Sequence, residues 1–482
     1  MGRGPALMEL AGQATALAAR RLAEDTGAPI LVVAGPGNNG GDAWVAAAQL
    51  RDSFSRVVVF DVAGAPPKAA EALAARQRFE AGGGQVVREW PGALHPALVI
   101  DGLLGIGLAR DVDAAMAEVI GRINASGAPV LAIDVPSGLD AETGRVRGCA
   151  VHATHTLTFI ARKPGLHTHD GLDHCGIVEC DDLGLRGEVT ARARGNLLTL
   201  AQARGWLAPR AANSHKGDFG SLGIIGGNRG MVGAALLAGR AALYTGAGKV
   251  FMGLLSNEAP SVDLVHPELM MRPVDDALAA DVIVAGPGAG QSPSATSVSM
   301  FERSVLPAAI AQAKPLVLDA DALNAIAFSD TLRQSVADRR SAPTILTPHP
   351  AEAGRLLGCD TATVQSDRVY GARELAKRFN AHVVLKGAGS VCAFPDGRWS
   401  INSTGNPGLA SGGSGDVLAG MIGALLCQGL AAAQALQLAV CLHGAAADAL
   451  VARGCGPVGL TASELLPEVR RLLNELSSER AN

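Results

Sequence analysis

The residues of this 482-residue chain that could do chemistry sit in glycine-rich turns. In Ile30-Leu-Val-Val-Ala-Gly-Pro-Gly-Asn-Asn-Gly-Gly-Asp42 an apolar run ends, a turn follows and a helical segment begins. Backbone N–H groups at such a helix start can bind a phosphate. Gly35, Gly37 and Gly40 satisfy G-x-G-x-x-G, and Asp61 closes the next apolar run. That is the fingerprint of a nicotinamide-dependent oxidoreductase. A tight strand-to-helix turn explains the glycines equally well. Neither reading explains why Asn38, Asn39 and Asp42 crowd the same turn.

Four further loops follow apolar runs: Asp101-Gly-Leu-Leu-Gly-Ile-Gly-Leu-Ala-Arg-Asp111, Asp134-Val-Pro-Ser-Gly-Leu-Asp140, Lys163-Pro-Gly165 and Asp181-Asp-Leu-Gly184. In a doubly wound sheet, loops at the carboxyl ends of the strands open on one crevice. Asn39, Asp101, Asp134 and Ser137 are therefore expected to converge. Their amide, carboxylate and hydroxyl oxygens suit a hard cation. Each aspartate taken singly reads as a turn or helix cap; at successive strand ends they read together as a site.

The second half carries four more such loops: Gly226-Gly-Asn-Arg-Gly-Met-Val-Gly-Ala-Ala235, Gly286-Pro-Gly-Ala-Gly290, Lys386-Gly-Ala-Gly-Ser390 and Asn406-Pro-Gly-Leu-Ala-Ser-Gly-Gly-Ser-Gly-Asp-Val-Leu418. Four glycine loops beside buried strands point to a large ligand whose phosphates the backbone approaches closely. The last loop places successive N–H groups and a positive helix end around an anion, with Asp416 at the same spot. An oxyanion cradle beside a carboxylate base is what phosphoryl transfer to a hydroxyl requires. The plainer reading makes Asp416 a helix cap, but Ser or Gly caps equally well.

These loops need α/β elements to hold them. In the first half the strands are expected at Ile30–Ala34, Arg56–Asp61, Leu98–Asp101, Val130–Asp134 and Thr156–Ile160, with helices at Ala69–Ala81 and Ala114–Asn124. Continuous apolar runs suit strands buried on both faces of a parallel sheet. A second series is expected at Leu222–Ile225, Val250–Leu255, Val282–Ala285, Leu316–Asp319, Thr344–Leu346 and Val383–Lys386, followed by helices. The domains are read as residues 1–190 and 214–482, with 191–213 as linker and leading helix.

Composition narrows the function. A net charge of -4 gives no footprint for nucleic acid. The chain is 48% hydrophobic but only 3% aromatic, with 60 Gly, as tightly packed α/β layers require. Eight Cys occur at irregular spacing, none matching a zinc site, so reduced thiols in a cytoplasmic protein are expected. No signal peptide shows at Met1–Leu10. The apolar stretch Val417–Leu450 is broken by Gln428, Gln434, Gln437 and His443, and reads as core helices rather than a membrane span.

The Gly-Asn-Asn-Gly-Gly-Asp run ending at Asp42 and the run from Asp134 to Asp140 resemble the family of NAD(P)H-hydrate epimerases, over nearly the whole N-terminal domain. The resemblance implies a Rossmann-like fold that inverts C6 of a hydrated nicotinamide ring. It implies that Asn38, Asn39, Gly40, Gly41, Asp42, Gly105, Ile106, Gly107, Leu108, Ala109, Arg110, Asp111 and Asp134 bind this substrate, with Asp134 as a proton-transfer group. It also implies a potassium ion held by Asn39, Asp101 and Ser137. The family carries a longer helix before its Leu-Met-x-x-Ala-Gly motif, here Leu7–Gly12, so the domain is expected to lack its first helix, a region that helps relatives dimerise. Ala43 stands where the family usually has Gly.

From His215-Lys-Gly-Asp218 to about Glu468 the chain resembles the ADP/ATP-dependent NAD(P)H-hydrate dehydratases, a branch of the ribokinase-like fold. Asp319-Ala-Asp-Ala-Leu-Asn324 and Thr347-Pro-His-Pro-Ala-Glu352 belong to the matching motifs. The resemblance implies that Ala234, Gly288, His349 and Asp416 contact the hydrate. Lys386, Gly387, Ala388, Gly389, Ser390 and Gly415 would bind the nucleotide, ADP or ATP, with magnesium. Asp416 would be the base. A homo-oligomer acting on NADHX and NADPHX, without nucleic acid or membrane, is expected. Three other readings stay open: a ribokinase-like small-molecule kinase, an oxidoreductase built on Gly35–Gly40 and Asp61, and a non-catalytic N-terminal binding module.

Overall fold

The computed structural model describes residues 4–23, 27–53, 56–64, 66–67, 69–108, 110–191, 193–290 and 299–478. Its contacts divide into two units, Met1–Ala193 and Arg194–Asn482.

The first unit is built on seven parallel strands among the described residues: β1 Ile30–Ala34, β2 Val57–Asp61, β3 Gln85–Val87, β4 Leu98–Gly102, β5 Val130–Ile133, β6 His155–Phe159 and β7 Ile177–Asp181, in the order β3-β2-β1-β4-β5-β6-β7. This is the expected Rossmann-like, doubly wound sheet. β1, β2 and β4 are buried from end to end, which is why their sequences read as unbroken apolar runs. Ile30, Val32 and Ala34 pack into one core, Leu31 and Val33 into the other. Helices Asn38–Arg51, Ala70–Ala81 and Ala114–Asn124 supply the crossovers. A helix over Gly4–Leu22 precedes β1 and lies close against helix Asn38–Arg51, where a Cβ on Gly12 would come within 2.4 Å of Val45. Strand order reverses between β1 and β4, so the loops after β1, β4 and β5 flank the point where such folds bind ligands.

The second unit carries ten strands among the described residues: β8 Gly195–Leu198, β9 Ser221–Gly226, β10 Lys249–Leu254, β11 Met270–Met271, β12 Val282–Ala285, β13 Leu316–Leu318, β14 Thr344–Leu346, β15 His382–Leu385, β16 Val391–Ala393 and β17 Trp399–Asn402. Their order is β11-β10-β9-β12-β13-β14-β15-β16-β17-β8. β16 runs antiparallel to its neighbours β15 and β17, and the remaining pairs are parallel. The stretch 191–213, read as linker and leading helix, contains β8 and a short helix Leu200–Ala203 that belong to this unit. β8 is a four-residue edge strand with a polar Asn196, too short to show a period of two.

Helices Ser414–Cys427 and Ala432–Ala452 line the core of the second unit. The latter is long and apolar enough to cross a membrane, but most of it is buried inside the unit, in line with the core-helix reading.

Candidate active sites

In the first unit the turn after β1 is set by close backbone packing. A Cβ on Gly35 would lie 1.8 Å from the carbonyl oxygen of Leu103, and one on Gly40 would lie 1.9 Å from that of Gly35. Two of the three fingerprint glycines are thus demanded by the turn itself. Asp61 is fully buried and ion-paired to Arg76 at 2.9 Å. It is unavailable to a ribose hydroxyl, which removes the oxidoreductase reading.

Three of the residues expected to converge do so. Asp101 is fully buried and accepts the N–H of Ser137 at 2.9 Å, the hydroxyl of Ser137 at 2.6 Å and the N–H of Leu103 at 3.2 Å. Asn39 donates to the carbonyl of Leu104 at 2.8 Å, and the Leu104 N–H donates to the Ser137 hydroxyl at 2.8 Å. Burial raises the Asp101 pKa despite these bonds. No Lys or Arg pairs with it among the described residues, so a buried carboxylate is left beside amide, hydroxyl and carbonyl oxygens.

Asp134 belongs to a different group. It is ion-paired to Lys163 and sits at φ +65°, a left-handed conformation costing a non-glycine residue on the order of 1 kcal/mol. Asp134, Lys163, Asn38, Asp42 and Ile106 line a cavity of about 670 Å³ walled by Met8, Phe159 and Leu183. Burial, reinforced by the charge of Asp134, pushes the Asp42 pKa up to about 7. Of the other expected substrate contacts, Gly40, Gly41 and Gly105 are closely packed, a Cβ on Gly41 meeting Met8 at 2.6 Å and one on Gly105 meeting Asn39 at 3.2 Å. Gly107, Leu108, Arg110 and Asp111 are not among the lining residues. Ala109 lies outside the described residues. Sequence reasoning names Lys163 only as the start of a strand-end loop and gives it no role; that place is its signal.

In the second unit the loops after β12 through β15 interlock. A Cβ on Gly286 (φ +119°) would lie 1.9 Å from the carbonyl oxygen of Asp319, and one on Gly288 (φ +58°) would lie 3.0 Å from Cβ of Ala234. The Gly290 N–H donates to Asp321 at 2.9 Å. Asp319 is buried, accepts the Thr347 hydroxyl at 2.6 Å and pairs with Lys386 at 3.1 Å. Lys386 reaches the start of helix Ser414–Cys427: a Cβ on Gly415 would lie 3.1 Å from its Nζ.

Asp416 is not the cap of that helix. Gly413 is the cap, in a left-handed conformation and with no side-chain bond. A carboxylate in a helix's first turn should be stabilised by the dipole. Here burial, then the charge of Asp319, outweighs that and Lys386, pushing the Asp416 pKa up to about 7. Burial works against the Lys386 ammonium, yet Asp319, Glu352 and Asp416 hold its pKa above the usual value. Beneath the cradle lies His443, 3.4 Å from the Ser414 hydroxyl, its pKa lowered to about 4 by burial and Lys386.

His349 caps helix Pro350–Leu357: its Nδ1 accepts the N–H groups of Ala351 and Glu352 at 3.1 and 3.4 Å. Glu352 is buried 3.3 Å from the other ring nitrogen. In the loop after β15, the Ser390 hydroxyl accepts the Gly387 N–H at 3.3 Å and donates to its carbonyl at 3.0 Å. Buried Arg368 donates to the carbonyls of Leu385 and Lys386 at 3.3 and 3.2 Å, fixing the peptide that carries the lysine. A second cavity of about 520 Å³, between residues 407–412 and 457–461, adjoins the segment leading into the cradle.

Two family models match the chain: YjeF-related protein N-terminus over residues 4–165 and NAD(P)H-hydrate dehydratase over residues 222–470. A bifunctional NAD(P)H-hydrate repair enzyme of Escherichia coli is 39% identical over 92% of this chain and 85% of its own length. One from Coxiella burnetii is 38% identical, over 92% and 90%. Among solved structures, the ADP/ATP-dependent NAD(P)H-hydrate dehydratase of Bacillus subtilis, co-crystallised with ATP and Mg2+, is similar at 33% identity and TM-score 0.50, covering 58% of this chain and 98% of that one. A ribokinase-like superfamily protein of Enterococcus faecalis shares the fold at 24% identity and TM-score 0.50, over 59% and 97%.

Proposed function

From the premise that the chain belongs to the family of bifunctional NAD(P)H-hydrate repair enzymes, an epimerase joined to a ribokinase-like, ADP/ATP-dependent dehydratase, we propose which residues perform each reaction. The observation that carries the reading is the contact of Lys386 with the start of helix Ser414–Cys427, beside an Asp416 whose pKa lies near neutrality. Lys386, Gly387, Ala388, Gly389, Ser390 and Gly415 receive the phosphates of ADP. Asp416 takes the proton of the C6 hydroxyl of the S hydrate. The oxygen attacks the terminal phosphorus and AMP leaves. The C6–O bond then breaks with phosphate as leaving group, a proton leaves C5, and the C5–C6 double bond of NADH or NADPH is restored. Transfer to phosphate converts a poor leaving group into a good one. Ala234, Gly288 and His349 would hold the hydrate.

Magnesium supplies charge neutralisation for the polyphosphate. Among the described residues no three His, Cys, Asp or Glu are grouped to cage a metal, which fits an ion carried in chiefly by phosphate oxygens and water.

In the first unit, Asn38, Asp42, Ile106 and Asp134 would hold the hydrate in the larger cavity. Asp42, half protonated near neutrality, gives a proton to the C6 hydroxyl. Water leaves as the ring nitrogen's lone pair forms a C=N bond to C6. A water then adds to the opposite face and gives its proton to Asp134, inverting C6. Asn39, Asp101 and Ser137 would hold potassium: the buried carboxylate without a cationic partner and the surrounding oxygens fit a monovalent hard cation.

The test is recovery of reduced-nicotinamide absorbance from hydrated NADH by the full chain, with and without ADP. Nucleotide-dependent recovery is expected. A stable phosphorylated product without recovery would support the small-molecule kinase instead.

A further inference from the structure

Lys163 spends all three of its N–H groups inside the protein. Nζ is ion-paired to Oδ1 of Asp134, donates to the Thr158 hydroxyl at 2.8 Å and donates to the Phe159 carbonyl at 2.8 Å. Its side chain is 11% exposed, and that of Asp134 15%. A lysine so enclosed cannot also reach out to a ligand, so its presence on the wall of the larger cavity needs another explanation.

The explanation lies on the carboxylate. Among the described residues every hydrogen bond to the Asp134 carboxylate falls on one oxygen: Oδ1 accepts from Lys163, from the Thr158 hydroxyl at 3.1 Å and from the Phe159 N–H at 3.3 Å. The backbone is fixed as well, since the Asp134 N–H donates to the Leu157 carbonyl at 2.8 Å while the residue stays at φ +65°. Strained backbone held by surrounding bonds is the usual mark of a preorganised group. With Oδ1 taken three times, Oδ2 is the oxygen left for the cavity.

We propose that Lys163 is a positioning residue for epimerisation: by taking Oδ1 of Asp134 it fixes the carboxylate so that Oδ2 receives the proton of the water that adds to C6. The proposal rests on the epimerase reading above. It separates Lys163 from a lysine that merely stabilises the fold, because preorganisation of a proton acceptor acts on turnover more than on substrate affinity.

The experiment measures R/S interconversion of NADHX by the full-length chain carrying Lys163→Met or Lys163→Arg. Dehydration of the S hydrate by the same preparation reports the amount of enzyme, and the first unit's thermal transition reports whether that unit is folded. Lys163→Met is expected to lower kcat for interconversion about 100-fold, with KM within about threefold. Lys163→Arg keeps a cation but cannot place three donors on the same points, and should recover about tenfold of that loss. A kcat within about threefold of the parent in folded Lys163→Met, or a loss wholly in KM, overturns the proposal. If Lys163→Met does not fold, Lys163→Arg decides: parental kcat, or a loss explained by melting, overturns the role. A parent chain that fails to speed interconversion at all would instead sink the epimerase reading, and the positioning role with it.

Discussion

In the first unit Lys163 holds Asp134 while Asp42 has no ion-pair partner among the described residues; in the second Lys386 holds Asp319 while Asp416 has none among them. Both unpaired aspartates are pushed up to about 7 by burial first and by the neighbouring paired aspartate second. The lysines differ. Lys163 is saturated by a carboxylate, a hydroxyl and a carbonyl. Among the described residues Lys386 donates one hydrogen bond, to Asp319, and it stands against a helix start. The same three charges therefore make a proton-transfer site where the lysine is consumed, and a phosphate cradle where it is left open. On this reading the paired aspartate is the base in one unit and the unpaired aspartate is the base in the other.

The sharpest way to break the comparison is to exchange the two bases. Asp416→Asn should reduce dehydration of the S hydrate by about 1000-fold or more and leave R/S interconversion within about twofold. Asp134→Asn should do the reverse. If either variant damages both reactions in a chain that still melts normally, the two sites do not divide the work.

The pH dependence should split next. Asp416 acts ionised, so dehydration rises as pH climbs through about 7. Asp42 acts protonated, so epimerisation falls as pH climbs through about 7. Between one unit below and one unit above, each rate changes about tenfold in opposite senses, and their ratio changes about 100-fold. Parallel profiles from the two assays would refute the assignment of Asp42 as acid. A smaller effect belongs to Lys386→Met. It should raise KM for ADP about 10–100-fold through loss of a charge-assisted contact, with epimerisation unchanged.

Much of this was legible in the sequence. β1, β2, β4 and β5 are apolar on both faces, and their loops carry the polar residues, so both the sheet and its business end could be read. Asp101 and Ser137, thirty-six positions apart, meet as their loops predicted. What could not be read depends on charge meeting charge across the fold. Asp61 looked like a ribose ligand until Arg76 was seen to pair with it. Lys163 stood in a strand-end loop without a role, since nothing local shows that Thr158, Phe159 and Asp134 surround its end. Gly40, Gly41 and Gly105 read as ligand contacts, and each also has a neighbour that a Cβ would crowd; a missing Cβ serves either purpose, so sequence alone does not separate the two. The edge strands β3, β8 and β11 and the interior strands β16 and β17 are two to four residues long and leave too short a period to detect.

The smallest expected effect would sharpen the comparison through stability rather than rate. Among the described residues Asp101 is buried, bonded only to uncharged donors, and raised in pKa; none of their lysines plays for it the part that Lys163 plays for Asp134. A potassium ion held with Asn39 and Ser137 would bind the folded first unit and not its unfolded chain. At tenfold excess over its dissociation constant it would stabilise that unit by about 1.4 kcal/mol. For a domain of this size that corresponds to a shift of about 3–6 °C in melting temperature. Replacing potassium chloride with choline chloride at equal ionic strength should lower the first unit's transition by this amount and leave the second's unmoved. Asp101→Asn removes the buried charge that calls for the ion, so its first transition should no longer respond to potassium. Equal movement of both transitions would mean that salt acts on the chain in general, and no movement would mean that the three oxygens hold no cation.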